Sequence, residues 1–340
     1  MIDSLAIDRD DVTTASGRRR RLRMLVTSAG RRVGLLDCFR RGAAAAGVEL
    51  EIIACDLDPD ASAACHSADA AHAVPRADDS GYADAVHALC VAHGVQLVVP
   101  TIDPDLAPLS AARARFADAG IQVSVSDPAV IAMARDKLAT ATFLAQAGIP
   151  SPRTATAEAV LAAPDDWRWP VFAKPRGGSA GRAVRAVASP ADLAGAMDEP
   201  LVVQDLLRGD EYTVNIFIDG DGRLRCAIPH LRQQVRAGEV EKGVTRRAPV
   251  LEDIAVRLAA ALPGARGALC FQAFVASDGS ASVFEINARF GGGYPVADRA
   301  GGSFARWLVE QAAGLPSTAN NHWQDGVRML RYDAAVFVTP

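Results

Sequence analysis

Three polar side chains alternate along one short segment near the end of the chain. In ASVFEINARFGGGYP, Glu285, Asn287 and Arg289 are each two residues apart, so on a β-strand they would share one face. Because a buried unpaired charge is costly, such a face is expected to meet charged ligands. Carboxylate and amide oxygens beside a guanidinium suit Mg²⁺ that bridges phosphates. Gln272, on the preceding predicted strand, is expected to face the same site; a solvated outer strand face is the alternative.

A lone lysine ends another apolar segment and is followed by glycines. Lys174 lies in VFAKP, and Gly177, Gly178 and Gly181 follow within a few residues, with Ser179 among them. Glycine-rich backbone exposes N–H groups that can contact phosphate oxygens, and a lysine adds a point charge. No GK[ST] closes the loop, so it is not a Walker loop. A plain hairpin turn explains the glycines equally well.

The elements that would position these residues follow two patterns. From Arg23 to about Ser126, apolar runs of strand length alternate with amphipathic helical stretches, which is typical of a doubly wound parallel α/β domain. Asp127 and Pro128 then introduce a helical stretch that continues to Gln146. Beyond it the apolar period is two, and ALCFQAFVA and ASVFEINAR are predicted to pair as an antiparallel hairpin. We therefore predict a fold that combines α/β and α+β organisation.

The same patterns divide the chain into regions. Residues 1–22 lack apolar periodicity and are predicted to be a flexible leader. Residues 23–126 are predicted to form a Rossmann-like domain with a parallel sheet. Residues 127–340 are predicted to form a second domain, with a central lobe at about 150–210 and a C-terminal lobe at about 211–340.

The composition of the chain limits the classes of partner that it is expected to bind. The 340-residue chain has a formal net charge of −4, so neither nucleic acid nor an anionic membrane is expected as a partner. Its six cysteines form no CxxC pair, which argues against a disulfide framework or a zinc site. No apolar run approaches the length of a membrane span and the N-terminus lacks the apolar region of a secretory signal, so a cytoplasmic location is expected.

Taken together, these segments resemble the ATP-grasp enzymes. Lys137, Lys174 with its glycine loop, VVQDLLRGDEYTV and FEINARFGG occur in the order and spacing of that family, over about Leu22 to Gly314. The sequence is similar to one half of the carbamoyl-phosphate synthase large subunit and to amino-acid ligases. The resemblance implies an ATP-grasp fold behind a Rossmann-like pre-ATP-grasp domain. It also implies an ATP-dependent carboxylate–amine ligase, which forms an amide or peptide bond through an acyl phosphate.

The resemblance further implies roles for individual residues. Lys137 and Lys174 would neutralise the ATP phosphates beneath the glycine loop, Glu211 would bind the ribose, and Arg289 would stabilise the transferred phosphoryl group. Lys174 and Arg289 are thus the expected catalytic residues. The adenine edge would be read by the inter-lobe segment, Gln204, Asp205, Leu206 and Leu207. Two Mg²⁺ ions, for which Mn²⁺ can substitute, would be held by Gln272, Glu285 and Asn287. Because many relatives carry a carboxylate at the position of Gln272, the number of ions stays open.

The substrate end carries weaker signals. Arg236, followed by Ala and Gly, resembles the arginine that many relatives place near the acceptor carboxylate, and arginine binds carboxylates bidentately. Gly292 and Gly293 would allow close approach of a ligand, and Tyr294 would meet an ammonium group together with Asp298. Solvated loop residues are an equally good interpretation. The expected substrates are a small carboxylate, with an amino acid as one option, and an amine; a homodimer is compatible with the resemblance.

A few residues also allow functions other than an ATP-grasp ligase. VTSAGRRVGLL followed by Asp56 is similar to a dinucleotide-binding turn, but only Gly30 and Gly34 match GxGxxG, and Arg31 and Arg32 occupy the turn. An NAD(P)-dependent oxidoreductase is therefore a weaker alternative. In an ATP-grasp protein the two arginines would reach the second substrate or be exposed. The remaining alternatives are a non-catalytic ATP-binding regulator and a carbamoyl-phosphate-synthase-like subunit that acts with a partner.

Overall fold

The structure is a computed structural model that describes residues 20–178, 185–195 and 199–338. Its first part is a parallel five-stranded sheet with the spatial order β3-β2-β1-β4-β5. The strands are β1 (Arg20–Thr27), β2 (Val48–Asp56), β3 (Ala70–Ala73), β4 (Leu97–Pro100) and β5 (Gln122–Val123). The helices are α1 (Val33–Ala45), α2 (Ala63–His66), α3 (Tyr82–His93), α4 (Asp103–Ala111) and α5 (Arg113–Asp118), with a 3-10 turn at Pro59–Ala61. The predicted parallel α/β organisation is confirmed.

A smaller antiparallel sheet follows in the chain. Two helices precede it, α6 (Pro128–Arg135) and α7 (Lys137–Gln146). Its strands are β6 (Thr154–Thr156), β7 (Val171–Pro175), β8 (Arg185–Val187) and β9 (Leu201–Asp205), in the order β6-β9-β7-β8. They are accompanied by α8 (Ala157–Ala162), a 3-10 turn at Pro164–Asp166 and α9 (Pro190–Ala194). We call residues 154–205 of this unit the central lobe.

The third sheet is antiparallel and six-stranded, with the order β14-β13-β10-β11-β12-β15. Its strands are β10 (Asp210–Ile218), β11 (Leu224–Arg236), β12 (Glu239–Thr245), β13 (Gly267–Val275), β14 (Ala281–Asn287) and β15 (Arg328–Leu330). The helices are α10 (Pro249–Ala261), α11 (Tyr294–Arg299) and α12 (Phe304–Ala312). The predicted hairpin is present as β13–β14, with Gln272 opposite Glu285. The last strand, β15, is only three residues long and ends at Leu330.

The helical stretch that was predicted to continue to Gln146 is broken in two. Asp136 adopts an extended conformation between α6 and α7, with φ −107° and ψ 112°. Its carboxylate accepts hydrogen bonds from the N–H groups of Leu138 and Ala139, so it caps the second helix. The capping energy of an aspartate favours this local break over a continuous helix. Lys137 thereby becomes the first residue of α7.

The apolar cores group the sheets in a way that the sequence did not predict. Along β1, Met24 and Val26 belong to one buried cluster and Leu25 to another, because successive side chains point to opposite faces. Each of these two clusters also contains residues of the six-stranded sheet, such as Ile216 in one and Phe217 in the other. The central lobe has a separate core, made of Ala157, Val160, Trp167, Val171, Ala173, Val187, Leu193, Leu201 and Val203. The parallel and six-stranded sheets therefore form one packed body, and the central lobe is a distinct unit beside it.

In the part of the chain that the structure describes, none of the helices combines the length and the apolar character needed to cross a bilayer.

Candidate active site

A cleft of about 1070 Å³ lies where the central lobe meets the rest of the molecule. Fifteen of the predicted site residues line it: Lys137, Lys174, Gly177, Gly178, Gln204, Asp205, Leu206, Leu207, Glu211, Gln272, Glu285, Asn287, Arg289, Gly292 and Gly293. Ser179 and Gly181 lie outside the described residues. Residues from the ends of β1 and β4, including Arg31, Arg32 and Asp103, complete the lining. The cleft therefore unites segments that are far apart in sequence.

Lys174 is a buried cation at the wall of the cleft. It lies on β7 with 3 % of its surface exposed, and its Nζ donates to the carbonyl of Phe284 at 3.3 Å. The ammonium also lies 5.3 Å from the ring centroid of Phe284. Burial lowers the pKa of Lys174 to about 8, although the nearby Glu285 carboxylate opposes that shift. The central lobe thus brings a strongly desolvated lysine next to the acidic strand β14.

The start of the glycine loop is attached to α7. Lys137 Nζ donates to the carbonyl of Gly178 at 2.8 Å, and the Lys137 N–H donates to the carbonyl of Arg176. The guanidinium of Arg176 donates hydrogen bonds to both oxygens of the Asp136 carboxylate, the shortest at 2.7 and 2.9 Å. The break at Asp136 therefore fixes both the first lysine and the loop that precedes the undescribed residues 179–184.

Two sets of hydrogen bonds hold the polar side chains of the predicted metal-binding strand pair. Asn287 Nδ2 donates to Glu285 Oε1 at 3.2 Å. Arg232, on β11, donates to Gln272 Oε1 at 2.8 Å and to Glu211 Oε1 at 2.6 Å. Burial raises the pKa of Glu211, and the neighbouring Glu285 adds to the rise while Arg232 opposes it. The Glu211 carboxylate, with a second carboxylate nearby, is a good environment for a cation.

This donor set can be tested for its fit to Mg²⁺. Within the described residues, no group of three or more His, Cys, Asp or Glu side chains could hold a metal by itself. The oxygens of Glu285, Asn287 and Gln272 are hard donors, but they are too few to complete six-fold coordination. Magnesium characteristically completes such sites with water and phosphate oxygens. The residues therefore fit a magnesium ion that arrives with a nucleotide, rather than one held in a protein cage.

Arg289 lies just beyond the end of β14 and is held from the parallel-sheet part of the chain. Its Nη2 and Nε donate to the two carboxylate oxygens of Asp103, at 2.8 and 3.1 Å. Both side chains are largely buried, with 12 % and 15 % of their surfaces exposed. Arg289 Nη2 also lies 3.4 Å from Asn287 Oδ1. Asp103, the first residue of α4, thus orients the guanidinium toward β14, and no local sequence signal predicted this partner.

The connection between β9 and β10 joins the central lobe to the six-stranded sheet. Gln204 is buried, and its Nε2 donates to Thr154 Oγ1 at 3.0 Å on the neighbouring strand. The Asp205 N–H donates to the carbonyl of Arg153. Leu206 and Leu207 follow in an irregular segment that lines the cleft. The side-chain amide of Gln204 is thus bonded within the central lobe. A ligand bound at the connection between β9 and β10 would therefore contact mainly its backbone.

Two family models match the sequence. A model described as PylC-like, N-terminal domain matches residues 24–124. A model of the ATP-grasp domain matches residues 134–293. The chain contains an ATP-grasp domain. The segments that carry the match include both cleft lysines and the whole of the β13–β14 hairpin, and no curated protein sequence matches the chain.

Solved structures share the ATP-grasp fold at low sequence identity. The biotin carboxylase domain of 2-oxoglutarate carboxylase from Hydrogenobacter thermophilus, in complex with MgADP, ADP and bicarbonate, is 16% identical with a TM-score of 0.70, covering 90% of this chain and 73% of that chain. N5-carboxyaminoimidazole ribonucleotide synthetase from Thermotoga maritima is 17% identical with a TM-score of 0.64, covering 88% and 78%. An L-amino acid ligase from Bacillus licheniformis is 15% identical with a TM-score of 0.68, covering 88% and 76%. At these identities the likeness establishes the fold.

Two predicted substrate residues do not face the ATP-grasp cleft. Arg236 lies at the exposed end of β11, where it pairs with Asp333 at 2.8 Å and Glu241 at 3.1 Å. Tyr294 is buried in the core, with its hydroxyl 3.1 Å from Asp298 Oδ1 and accepting a hydrogen bond from the Ala305 N–H. The expectation that these two residues contact the substrate is therefore corrected. Arg236 is held by Asp333 in the C-terminal segment, and the ring of Tyr294 is buried in the apolar core.

Asp298 and the glycines after β14 also have structural partners. Asp298 pairs with Arg41 at 2.7 Å, so its charge is already compensated. A Cβ at Gly293 would lie 2.5 Å from His230 Nε2, and a Cβ at Gly292 would lie 2.8 Å from the Glu239 carboxylate carbon. Gly292 and Gly293 line the cleft, and they are also required by the side chains packed behind them.

One carboxylate of the ATP-grasp cleft was missed by the sequence reasoning. Glu239, at the start of β12, lies 2.9 Å from Arg32, 2.9 Å from Arg331 and 3.6 Å from Arg31. Burial alone would raise the pKa of Glu239, but the guanidinium groups of Arg32 and Arg331 hold it below the ordinary value. A single glutamate after a glycine turn carries no recognisable motif, so only the tertiary structure could reveal this cluster.

Proposed function

We propose that the protein is an ATP-dependent carboxylate–amine ligase that forms an amide or peptide bond through an acyl phosphate. One observation carries the proposal: the buried Lys174 faces the Glu285–Asn287 strand across a cleft that Arg289 also lines. A desolvated lysine, hard oxygen donors and a buried guanidinium are the groups that phosphoryl transfer requires. The match to the ATP-grasp domain model supports the same chemistry.

ATP would bind with its triphosphate between the central lobe and β14. Lys137 and Lys174 would neutralise phosphate charge beneath the glycine loop, of which Gly177 and Gly178 line the cleft. The adenine would lie against the connection formed by Gln204, Asp205, Leu206 and Leu207, with Glu211 as the acceptor for the ribose hydroxyls. The Hydrogenobacter thermophilus neighbour was solved with MgADP, which supports a nucleotide in this fold.

Magnesium would be held by Glu285, Asn287 and Gln272. When bound, Mg²⁺ neutralises charge on the phosphate oxygens and aligns them for transfer. We propose two ions, for which Mn²⁺ would substitute. Because Gln272 Oε1 already accepts a hydrogen bond from Arg232, the ion that uses Gln272 would be the weaker of the two.

The chain's own residues would act by positioning and charge compensation. An oxygen of the acid attacks the γ-phosphorus as the bond to ADP breaks, while Lys174 and Arg289 stabilise charge on the phosphoryl oxygens. The amine then attacks the acyl carbon, the C–O bond to phosphate breaks and the amine loses a proton. The carboxylate is already an anion, so the first step requires no general base. This explains why no histidine or cysteine contributes to the proposed chemistry.

The central lobe would act as the lid. We propose that the region predicted as residues 150–210 closes on the C-terminal lobe, residues 211–340, while the pre-ATP-grasp domain, residues 23–126, supplies part of the acceptor site. The separate core of the central lobe and the irregular connection at residues 206–209 support such a motion. Closure would exclude water and protect the acyl phosphate from hydrolysis.

Nucleotide-dependent thermal stabilisation tests the proposal. MgATP at 100 times its Kd should stabilise the folded protein by about 2.7 kcal/mol. ATP with EDTA should stabilise it less, and NADH should have no effect. Stabilisation by NADH but not by MgATP would replace the ligase with the oxidoreductase alternative.

ADP release is the second measurement. A panel of small acids, each with and without amines, should contain a pair that provokes ADP release in the wild-type protein. Glu285→Gln should lose this release, whereas Glu158→Gln, on the exposed surface of α8, should retain it. Binding of MgATP without any acid-dependent ADP release would favour a non-catalytic ATP-binding regulator.

A further inference from the structure

Three arginines from distant parts of the chain converge on one carboxylate in the cleft. Arg31 and Arg32 follow β1, Arg331 follows β15, and all three pair with Glu239 at 2.9 to 3.6 Å. In residues 20–178, 185–195 and 199–338, the ion pairs of these arginines all go to this one glutamate. The cluster therefore combines three positive charges with one negative charge.

The surplus charge is not on an open surface. Side-chain exposure is 21 % for Arg32, 19 % for Glu239 and 31 % for Arg331, and only Arg31 is more than half exposed. Burial lowers the pKa of Arg32; Glu239 opposes the shift, and the positive charges of Arg289 and Arg31 add to it. A bound anion would offset both the lost hydration of these guanidinium groups and the repulsion between them.

The cluster is continuous with the proposed reaction site. Arg32 and Arg289 line the same cleft, and Arg289 itself contacts Asn287 on β14. The charge of Arg289 is compensated by Asp103, whereas Arg31, Arg32 and Arg331 share one glutamate. Arg331 also donates to the carbonyl of Gly292, which lines the cleft. A substrate whose reacting carboxylate lies at Arg289 would extend toward this surplus of guanidinium groups.

We propose that Arg31, Arg32 and Arg331 bind a second anionic group on the acid substrate, so that the acid is a dianion. This inference rests on the proposed ligase function. Guanidinium groups recognise carboxylate and phosphate oxygens through paired hydrogen bonds. Both oxygens of Glu239 pair with arginines, so its negative charge is already compensated and offers little attraction to the ammonium group of a neutral amino acid. The preferred acid therefore carries a second carboxylate or a phosphonate-type group remote from the one that is activated.

Matched pairs of acids test the inference. The protein is saturated with the magnesium complex of the β,γ-imido analogue of ATP, and melting temperatures are measured with malonate, succinate, glutarate and adipate. Each diacid is compared with its monomethyl ester at equal ionic strength, and 3-phosphonopropionate is compared with propionate. At least one diacid or the phosphonate should bind roughly tenfold more tightly than its monoanionic partner. The better of the two anion types identifies the second group.

Variants assign the effect to the cluster. Arg32→Gln should weaken the dianion by roughly tenfold and leave the monoanion unchanged. Glu239 keeps Arg331 in this variant, so no unpaired carboxylate is created. Arg76→Gln is the control, because Arg76 is exposed and pairs with Asp78 on the surface. Should Arg32→Gln not fold, Arg31→Gln replaces it, since the Arg31 side chain is 68% exposed.

The outcomes separate the two proposals. If no dianion binds better than its monoanionic partner, or if the Arg32→Gln variant keeps the full preference, the second-anion site is refuted. In either case stabilisation by the ATP analogue alone leaves the ligase proposal intact. Failure of the analogue to stabilise the protein would refute the ligase proposal itself.

Discussion

The cleft has two parts that are assembled differently. The nucleotide-facing part, built on Lys174 with its glycines and on Glu285 and Asn287, consists of short segments in which neighbours in sequence act together. The acceptor-facing part joins Glu239 to Arg331, 92 residues later, and to Arg32 in the parallel-sheet part of the chain. Binding a phosphate chain requires a local arrangement of charge and backbone, whereas binding an acid requires walls from several elements. The first can be recognised in a sequence, and the second only in a folded chain.

The two parts also differ in how they are supported. Lys174 belongs to the central lobe, which has its own apolar core. Arg32 and Glu239 belong to the body in which the parallel and six-stranded sheets share their cores. If the central lobe closes as proposed, the nucleotide-facing part is divided between the closing lobe and the body, whereas the acceptor-facing part lies within the body. We expect lobe closure to alter ATP affinity more than acid affinity.

Removal of the proposed metal ligand Glu285 should have the largest effect. Glu285→Ala should reduce acid-dependent ADP release by about a thousandfold, because the variant loses the charged oxygen donor of β14. Glu158→Ala, on the surface of the central lobe, should behave as wild type. Turnover in Glu285→Ala within tenfold of the wild-type value would remove the metal assignment.

Replacement of the buried lysine should separate activity from stability. Lys174→Met should lower turnover by about a hundredfold. The folded pKa of Lys174 is about 8, below its ordinary value of 10.5, so the wild type carries an electrostatic penalty that builds up as pH falls from 10.5 to 8 and is complete below 8. At pH 7 the variant should therefore be more stable without nucleotide, by up to about 3 kcal/mol. Chemical denaturation measures this change, and a less stable variant would contradict the assigned burial.

The fold and the nucleotide-facing part were largely predictable from the sequence. The alternation of apolar strands and helices specifies a parallel sheet, and the hairpin β13–β14 follows from two-residue periodicity around a short turn. Glu285 and Asn287 share a face for the same reason. Lys174 was recognisable because a charged residue inside an apolar strand has to meet an opposite charge or a ligand.

The acceptor-facing part could not be predicted because its contacts are long-range. Arg236 carries the same charge and lies in the same strand as Arg232, yet only Arg232 reaches the cleft. Tyr294 follows the glycines directly, but its ring is drawn into the core beside Phe290 and Phe304. The partner of Arg289, Asp103, lies 186 residues away. The periodicity of a strand predicts which side chains share a face. It does not predict which other element of the fold packs against that face.

The affinity for ATP should depend on pH through Lys174, which belongs to the nucleotide-facing part of the cleft. Phosphate oxygens favour the protonated form of Lys174, whose pKa is about 8 in the folded protein. The affinity for MgATP should therefore be nearly constant below pH 8 and fall by up to tenfold for each pH unit above it. Calorimetric titrations from pH 7 to 9.5 measure this decline. The same series on Lys174→Met should be flat in this range; an equal decline in the variant would assign the titration to another group.

Weakening the ion pair between Arg289 and Asp103 should have the smallest effect. Asp103→Asn keeps the shape of the side chain but removes its charge, so Arg289 would lose orientation while retaining Asn287 and Phe290 as contacts. We expect kcat to fall about fivefold with little change in the KM for ATP. Asp37→Asn, at an exposed pair on α1, is the matched control. A raised KM for ATP with unchanged kcat would show that Asp103 supports nucleotide binding instead.

The transfer of oxygen from the acid to phosphate tests the central proposal most directly. An acid that provokes ADP release is labelled with ¹⁸O in its reacting carboxylate, and the phosphate formed after amide synthesis is analysed by mass spectrometry. Because the carboxylate oxygen attacks the γ-phosphorus and departs with phosphate, one ¹⁸O atom should appear in each phosphate. Phosphate without label, formed together with the amide, would contradict the acyl-phosphate mechanism.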